Sequence, residues 1–306
     1  MGSTPAVVEV TSRLPLVNLA AREHRIRWEL DEAFVDASRW VGRLLRGPER
    51  RIVWLDLCSG SGFVREEAIE DLESGAPNGF FFALLLRRLN DWVPQVRARA
   101  CERILSVARR TEPDFVVDAL WCTLPHLASW GRTEGSGTAA LLDLLSIPDV
   151  VEALRSRLRE ATAGPAGAVL GQAMRSSALD PFLEELALRA IQPMVRARAS
   201  ETLLEGRATW IVGREWEWTS VQWCEGRFRP ILEERPLTIE VPFTGALRRA
   251  SSDRSPKVRR VAGAALLRTL EATDGSAEIA ELLAQDSYPS IAEMGRLALS
   301  KLQETP

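Results

Sequence analysis

One short pattern recurs along this chain of 306 residues: a helix-breaking residue, any residue, Val-Arg, then Ala three residues on and Leu four beyond. Its copies begin at Gly62, Pro94, Pro193, Pro256 and, in a degraded form, Pro289. The starting positions differ by 32, 99, 63 and 33 residues, close to multiples of about 33. A repeat of this length is typical of stacked helical units. The chain is therefore predicted to be an all-α solenoid, with diverged copies inside the two longer spacings.

Each position of the pattern has a physical role in a helix. Proline is tolerated in a first helical turn, where its missing N–H would have had no partner. The Val, Ala and Leu positions advance at about 100° per residue onto one apolar face, and the Arg falls on that face too. A buried Arg needs an acidic partner. Three copies supply an Asp three residues before the Pro, namely Asp91, Asp253 and Asp286. An Asp–Arg ladder between repeats is predicted, with structural roles for Arg65, Arg97, Arg196 and Arg259.

A second apolar segment precedes each pattern helix, most clearly at residues 80–89 before the Asn90–Pro94 turn. This unit of helix, short turn and helix resembles a HEAT repeat. The resemblance covers residues 49–73, 80–109, 180–205, 243–270 and 277–303. It implies a curved, right-handed stack of helix pairs whose second helices line the inner surface, used mostly as a protein-binding scaffold.

The expected inner surface follows from helical geometry. Positions one, five, eight and twelve after each starting residue share a face opposite the Ala and Leu face. That face changes along the array from acidic to mixed to partly apolar, without a continuous basic stripe. It supplies these candidate binding residues: Arg99, Glu102, Arg198, Glu201, Val261, Met294 and Leu297.

Residues 208–242 interrupt the repeats. Aromatic and β-branched residues predict strands at 210–223 and 237–241, closed as a hairpin across 224–236. The first strand carries four further candidate binding residues: Trp210, Trp216, Trp218 and Trp223. The insertion is either a recognition surface or a plug that covers helix ends.

The predicted domains are an N-terminal extension with capping helices at 1–48 and a repeat array at 49–306, interrupted by the insertion at 208–242. Residues 1–20 are predicted to be irregular, with a short strand at Ala6–Val10.

Two further resemblances point towards enzymes. Residues 53–62 resemble the strand and Gly-rich loop that bind S-adenosylmethionine in methyltransferases, but the second strand and its acidic residue are missing. Catalysts also occur on HEAT-like scaffolds, among them alkylpurine DNA glycosylases, phycobilin lyases and deoxyhypusine hydroxylase. His24 and His126 are the only histidines, so the iron ligands of the hydroxylase are lacking. The ten Trp residues and abundant Arg keep a glycosylase-like, nucleic-acid-binding protein as the alternative.

The resemblance implies a non-catalytic scaffold that binds another protein, and the composition agrees with a soluble solenoid expected in the cytoplasm. The net charge of −3 and a pI near 5.7 argue against a broad nucleic-acid surface. No apolar run approaches the roughly 20 residues that a membrane span needs. The four cysteines lack CxxC spacing, so neither disulfides nor zinc are indicated. No catalytic residue, metal or cofactor is expected.

Overall fold

The computed structural model describes residues 4–40, 52–132, 135–269 and 275–304, with no side-chain description for residues 4, 30–40 and 304. Within these ranges the chain is mostly α-helical, with one antiparallel hairpin. The mainly-α class with a small β element is thereby confirmed. Residues 41–48 of the predicted N-terminal extension lie outside the described ranges. The chain divides into two compact units, Met1–Leu154 and Arg155–Pro306.

The first unit consists of helices. They are α1 (Thr4–Ser12), α2 (Leu19–Trp40), α3 (Val53–Asp56), α4 (Gly62–Glu70), α5 (Gly79–Arg88), α6 (Pro94–Ala108), α7 (Pro113–Thr123) and α8 (Gly135–Leu142). The division between the units falls inside α9 (Pro148–Glu160). Two 3₁₀ helices, Leu124–Ser129 and Asp143–Ser146, follow α7 and α8.

The second unit combines helices with the hairpin. Its helices are α10 (Ala166–Ala173), α11 (Leu183–Arg189), α12 (Pro193–Glu205), α13 (Phe243–Ser251), α14 (Pro256–Arg268), α15 (Ser276–Ala284) and α16 (Pro289–Glu304). The strands β1 (Arg207–Ser220) and β2 (Glu225–Pro236) lie between α12 and α13. A 3₁₀ helix, Ser177–Phe182, precedes α11.

The repeated pattern marks helix starts, as predicted: all five copies open a helix, at α4, α6, α12, α14 and α16. In the second unit each of the last three pairs with the helix before it, and α14 packs against both α12 and α16. In the first unit α6 packs against α4 and α8. The apolar face of the pattern is interior, since Val96, Ala100 and Ile104 are fully buried.

Ion pairs between pattern arginines and aspartates confirm the predicted ladder. Three of the four pattern arginines, Arg65, Arg196 and Arg259, bind the Asp that precedes the next pattern helix. Arg65 Nε and Nη2 donate to Asp91 at 3.0 and 2.8 Å. Arg196 Nε and Nη2 donate to Asp253 at 2.8 and 3.0 Å. Arg259 Nε and Nη2 donate to Asp286 at 2.5 and 2.9 Å. Consecutive repeats are thus joined by bidentate contacts, the strongest geometry for such pairs.

The same groups also shape their own turns. Each aspartate accepts a backbone N–H two residues later, which favours a turn just before the helix. The arginines donate Nη1 to a backbone carbonyl six residues earlier, and in Arg97 this acceptor is the main-chain oxygen of Asp91, at 2.9 Å. Local and inter-repeat bonding therefore converge on one residue pair.

Two predictions about strands are wrong. Residues 6–10 lie in the helix α1 rather than in a strand. The second strand of the insertion is β2, at 225–236, in the segment predicted to be the loop, whereas residues 237–241 are not a strand. In a two-stranded ribbon each strand has a free edge, so Pro230 can occupy β2 without costing a needed hydrogen bond.

We expect acid to weaken the ladder. Burial opposes ionisation of Asp91, but hydrogen bonds from Arg65 and Val93 outweigh it and hold its pKa below 3.8. The hydrogen bond from Arg259 lowers the pKa of Asp286 against a smaller effect of burial. The stabilisation by both carboxylates is therefore complete at pH values well above 3.8. It is lost as the pH falls through the pKa values that the two groups have in the folded protein.

Urea unfolding at a series of pH values would measure this loss. For each group, the free energy of unfolding should fall by about 1.4 kcal/mol per pH unit between its pKa in the unfolded chain and its pKa in the folded protein. Asp91→Asn should have a shallower acid decline than the wild-type protein. Equal stability at neutral and strongly acidic pH would contradict the expected proton linkage.

Candidate functional site

The hairpin is the candidate site, and its register decides which side chains share a face. β1 and β2 pair antiparallel from Arg207 opposite Pro236 to Ser220 opposite Glu225. The pairing shifts between Ile211 and Gly213, so that Val212 is an extra residue on β1. A bulge of this kind leaves one residue unpaired and changes which face later residues occupy.

The bulge separates tryptophans that a regular strand would place together. Trp210 lies opposite Glu233, and its Nε1 donates to Oε2 of that residue at 3.2 Å. Trp216 lies opposite Phe228, with ring centroids 4.9 Å apart. Since β2 has no irregularity between these two partners, Phe228 and Glu233 point to opposite faces. Trp210 and Trp216 consequently do so as well.

The face that carries Trp210 packs on the helices. Ala208 and Trp210 are buried, and β1 contacts α10 and α12. Gln172 Nε2 donates to the Ile211 carbonyl at 2.9 Å, and the Arg175 guanidinium lies 5.7 Å from the Trp210 ring centroid. Trp210 is therefore part of the packed base of the hairpin.

A buried carboxylate anchors the end of β2. Asp180 accepts hydrogen bonds from Arg235 Nη1 and Nη2 at 2.8 and 2.6 Å, and from Thr238 N and Oγ1, both at 2.9 Å. Arg235 also donates to the carbonyls of Met174 and Ser176, at 2.8 Å each. Burial of Asp180 disfavours its charged form, but the bonds from Arg235 and Thr238 lower its pKa overall.

The opposite face exposes a cluster of three aromatic rings, here called the aromatic face: Trp216, Trp218 and Phe228. They are 43%, 54% and 63% exposed. The Trp216 and Trp218 centroids are 5.6 Å apart in an edge-on arrangement. The lack of a side chain at Gly226 makes room for the Trp216 ring, since a Cβ there would lie 2.5 Å from atoms of that ring. Exposed Leu232 shares this face of β2, which extends the apolar surface.

Charged side chains occupy the other face at the same end of the hairpin. Glu217 accepts from Arg227 Nε at 3.0 Å and from Arg229 Nη1 at 2.9 Å, and these hydrogen bonds, with that of Arg227 foremost, lower its pKa. The connection between the strands carries exposed Trp223. Two different surfaces thus lie back to back on one ribbon.

The remaining candidate residues lie on the helices. Arg99 and Glu102 form an ion pair at 2.8 Å within α6. Arg198 pairs with Glu201 at 2.8 Å within α12 and also donates to the main chain of Thr209 in β1, which makes it a support of the hairpin base.

The apolar candidates are partly interior. Val261 packs against the core shared by α12, α13, α14, α15 and α16. The Met294 side chain lies close over Gly263, where a Cβ would be 3.1 Å from its sulfur. Leu297 is exposed.

Sequence reasoning missed the residues contributed by β2 and the 3₁₀ helix before α11. Phe228 lies between Arg227 and Arg229, a short period-two signal that could have indicated a strand. Asp180 and Arg235 are 55 residues apart, and no local pattern joins them.

Within the described ranges, no group of three His, Cys, Asp or Glu side chains is arranged to hold a metal ion. None of the described helices is long and apolar enough to cross a membrane. No protein-family model, curated protein or solved structure matches this chain significantly. Fold and site define a mainly-α protein that presents an aromatic hairpin.

Proposed function

We propose that this chain is a non-catalytic scaffold or adaptor, built from HEAT-like helix pairs, that binds another protein through the aromatic face of its hairpin. The regular helix starts and the Arg–Asp ladder support the HEAT-like arrangement. In the C-terminal unit, α14 packs between α12 and α16, as expected when each repeat contacts its neighbours.

The single observation behind the binding role is the exposure of Trp216, Trp218 and Phe228 together. Aromatic side chains bury about 150–250 Å² each when covered, and Trp and Tyr are enriched among residues that dominate binding energy. The base residue Trp210 supplies the attachment to the helices, so the outer rings are free for a partner. The charged opposite face, around Glu217, contributes selectivity through its electrostatic pattern.

We place the interaction in the cytoplasm. All four cysteines are free thiols: Cys58, Cys101, Cys122 and Cys224. Reduced thiols fit that compartment, where disulfides are rare.

The test is the double variant Trp216→Ala/Trp218→Ala. Because both rings lie on the outer face of the hairpin and are about half exposed, we expect the free energy of unfolding to fall by no more than about 1 kcal/mol. Capture of specific partners from an extract of the native organism should weaken at least about thirty-fold, as for a loss of about 2 kcal/mol at a hot spot. Quantitative mass spectrometry of the captured proteins measures this.

Trp28→Ala is the matched control, because Trp28 is an exposed tryptophan on α2, outside the hairpin. Proteins captured by the wild type and by this control, but not by the double variant, identify the partner. If the double variant instead unfolds at much lower urea concentrations, its rings belong to the packed structure and the proposal fails.

The nucleic-acid alternative leads to a separate expectation. The net charge is −3, and three pattern arginines already bind aspartates. Affinity for DNA depends on many phosphate contacts. We therefore expect a dissociation constant above about 0.1 mM for duplex DNA at physiological salt. Fluorescence anisotropy over a salt series measures it. Tight, steeply salt-dependent binding, or release of a base from alkylated DNA, would favour the glycosylase-like alternative.

A further inference from the structure

A cluster of charged side chains in the first unit has no part in the hairpin. Glu23 of α2 is buried and accepts from Arg87 Nε at 2.8 Å, from Arg88 Nη2 at 2.6 Å and from Arg27 Nη2 at 2.9 Å. Arg88 also donates to Asp91 at 2.9 Å, which connects this cluster to the ladder. Two carboxylates thus hold several guanidinium groups close together.

These side chains border a cavity of about 290 Å³, here called the arginine cavity. Its charged lining residues are Glu23, Arg27, Arg87, Arg88, Asp91 and Arg132. Among the lining residues, four guanidinium groups face two carboxylates, a surplus of two positive charges, and Arg65, which pairs with Asp91, adds positive charge outside the lining. Burial disfavours the charged form of Glu23, but Arg88 and Arg87 lower its pKa overall, so this count holds at neutral pH.

Several donors of the cavity remain available for a ligand. Arg87 uses Nε for Glu23, which leaves both of its Nη groups. Arg27 uses Nε for the Cys58 carbonyl and Nη2 for Glu23, which leaves Nη1. Arg132 is exposed, and no described residue accepts a hydrogen bond from its side chain. The buried Nε of Arg88 also has no partner among the described residues.

We propose that the arginine cavity binds the dianion of a phosphate monoester. Such a group carries about −1.5 to −2 charges at neutral pH, which matches the surplus of the cavity. The forked donors of arginine fit phosphate oxygens in pairs. The volume suits a compact ligand, and the indole rings of Trp92 and Trp130 offer apolar surface to the group that carries the phosphate.

Isothermal titration calorimetry with phenyl phosphate and phenyl sulfate tests the charge match, since the sulfate has a similar shape and a single charge. We expect the phosphate to bind at least about tenfold more tightly. Arg132→Gln should weaken the binding of phenyl phosphate about tenfold, without changing the urea midpoint, because this exposed side chain has no partner among the described residues. Arg109→Gln is the matched control: Arg109 is exposed, lies at the end of α6 and does not line the cavity.

Two further ligands distinguish the source of the phosphate. Tighter binding of adenosine monophosphate indicates a small metabolite, whereas tighter binding of a phosphotyrosine peptide indicates a phosphorylated protein; either result supports the shared chemistry. Absence of phenyl phosphate binding, or equal affinity for phosphate and sulfate, would overturn the proposal. So would equal losses in Arg132→Gln and Arg109→Gln. None of these results depends on the hairpin, because its residues lie in the second unit.

Discussion

We expect the Asp91→Ala substitution to lower the free energy of unfolding by about 3–5 kcal/mol. Asp91 is buried, and its carboxylate accepts two hydrogen bonds from Arg65, one from Arg88 and one from the Val93 N–H. Removing it leaves two arginines buried near each other with fewer negative partners. The loss arises from these uncompensated charges more than from the missing attraction.

Urea unfolding followed by circular dichroism measures this effect. Glu102→Ala is the matched control, because its ion pair with Arg99 is exposed and such pairs contribute about 0–1 kcal/mol. Typical domains have only about 5–15 kcal/mol of stability, so Asp91→Ala should also express poorly. Equal midpoints for the two variants would show that the buried pair is not needed to join the repeats.

The second large effect concerns the attachment of the hairpin. Asp180 is fully buried and binds both Arg235 and Thr238, next to the end of β2. We expect Asp180→Ala to cost about 3–5 kcal/mol, since the Arg235 charge loses its acidic partner and the Thr238 N–H loses its acceptor. Hydrogen exchange should accelerate over residues 207–238 more than over α14 and α16.

Glu217→Ala is the control for this experiment. It removes a carboxylate that pairs with Arg227 and Arg229 at the exposed end of the same hairpin, where solvent screens ion pairs and the expected change in stability is small. If Asp180→Ala leaves exchange in the hairpin unchanged, the packing of Trp210 alone holds the strands on the helices. An equal increase in all helices would indicate a global rather than a local role for Asp180.

Much of the helical framework could be predicted because its signals are local. Proline before Val-Arg defines a helix start through backbone geometry, and the spacing of Val96, Ala100 and Ile104 defines a buried face. The ladder was also predictable in outline, since an arginine on a buried face requires an acid. Which aspartate each arginine binds was not evident, because the partner belongs to the following repeat.

The hairpin shows where prediction failed. Aromatic and β-branched residues predict strands at 210–223 and 237–241, but the second strand is β2, inside the segment predicted to be the loop. Strand pairing depends on a partner segment, and an edge strand tolerates a proline such as Pro230, which a central strand does not. The bulge at Val212 was equally invisible, yet it decides that Trp210 is buried while Trp216 is exposed.

The arginine cavity illustrates the same limit. Glu23 and Arg87 are 64 residues apart in the chain, and nothing in either segment indicates that their side chains meet. By itself, therefore, the amino-acid sequence determined where helices begin, which faces they bury and that their arginines need acids, because these follow from backbone geometry and periodicity over a few residues. Only the tertiary structure decided the strand register, the two faces of the hairpin and the convergence of distant charges, because these depend on which segments pack together.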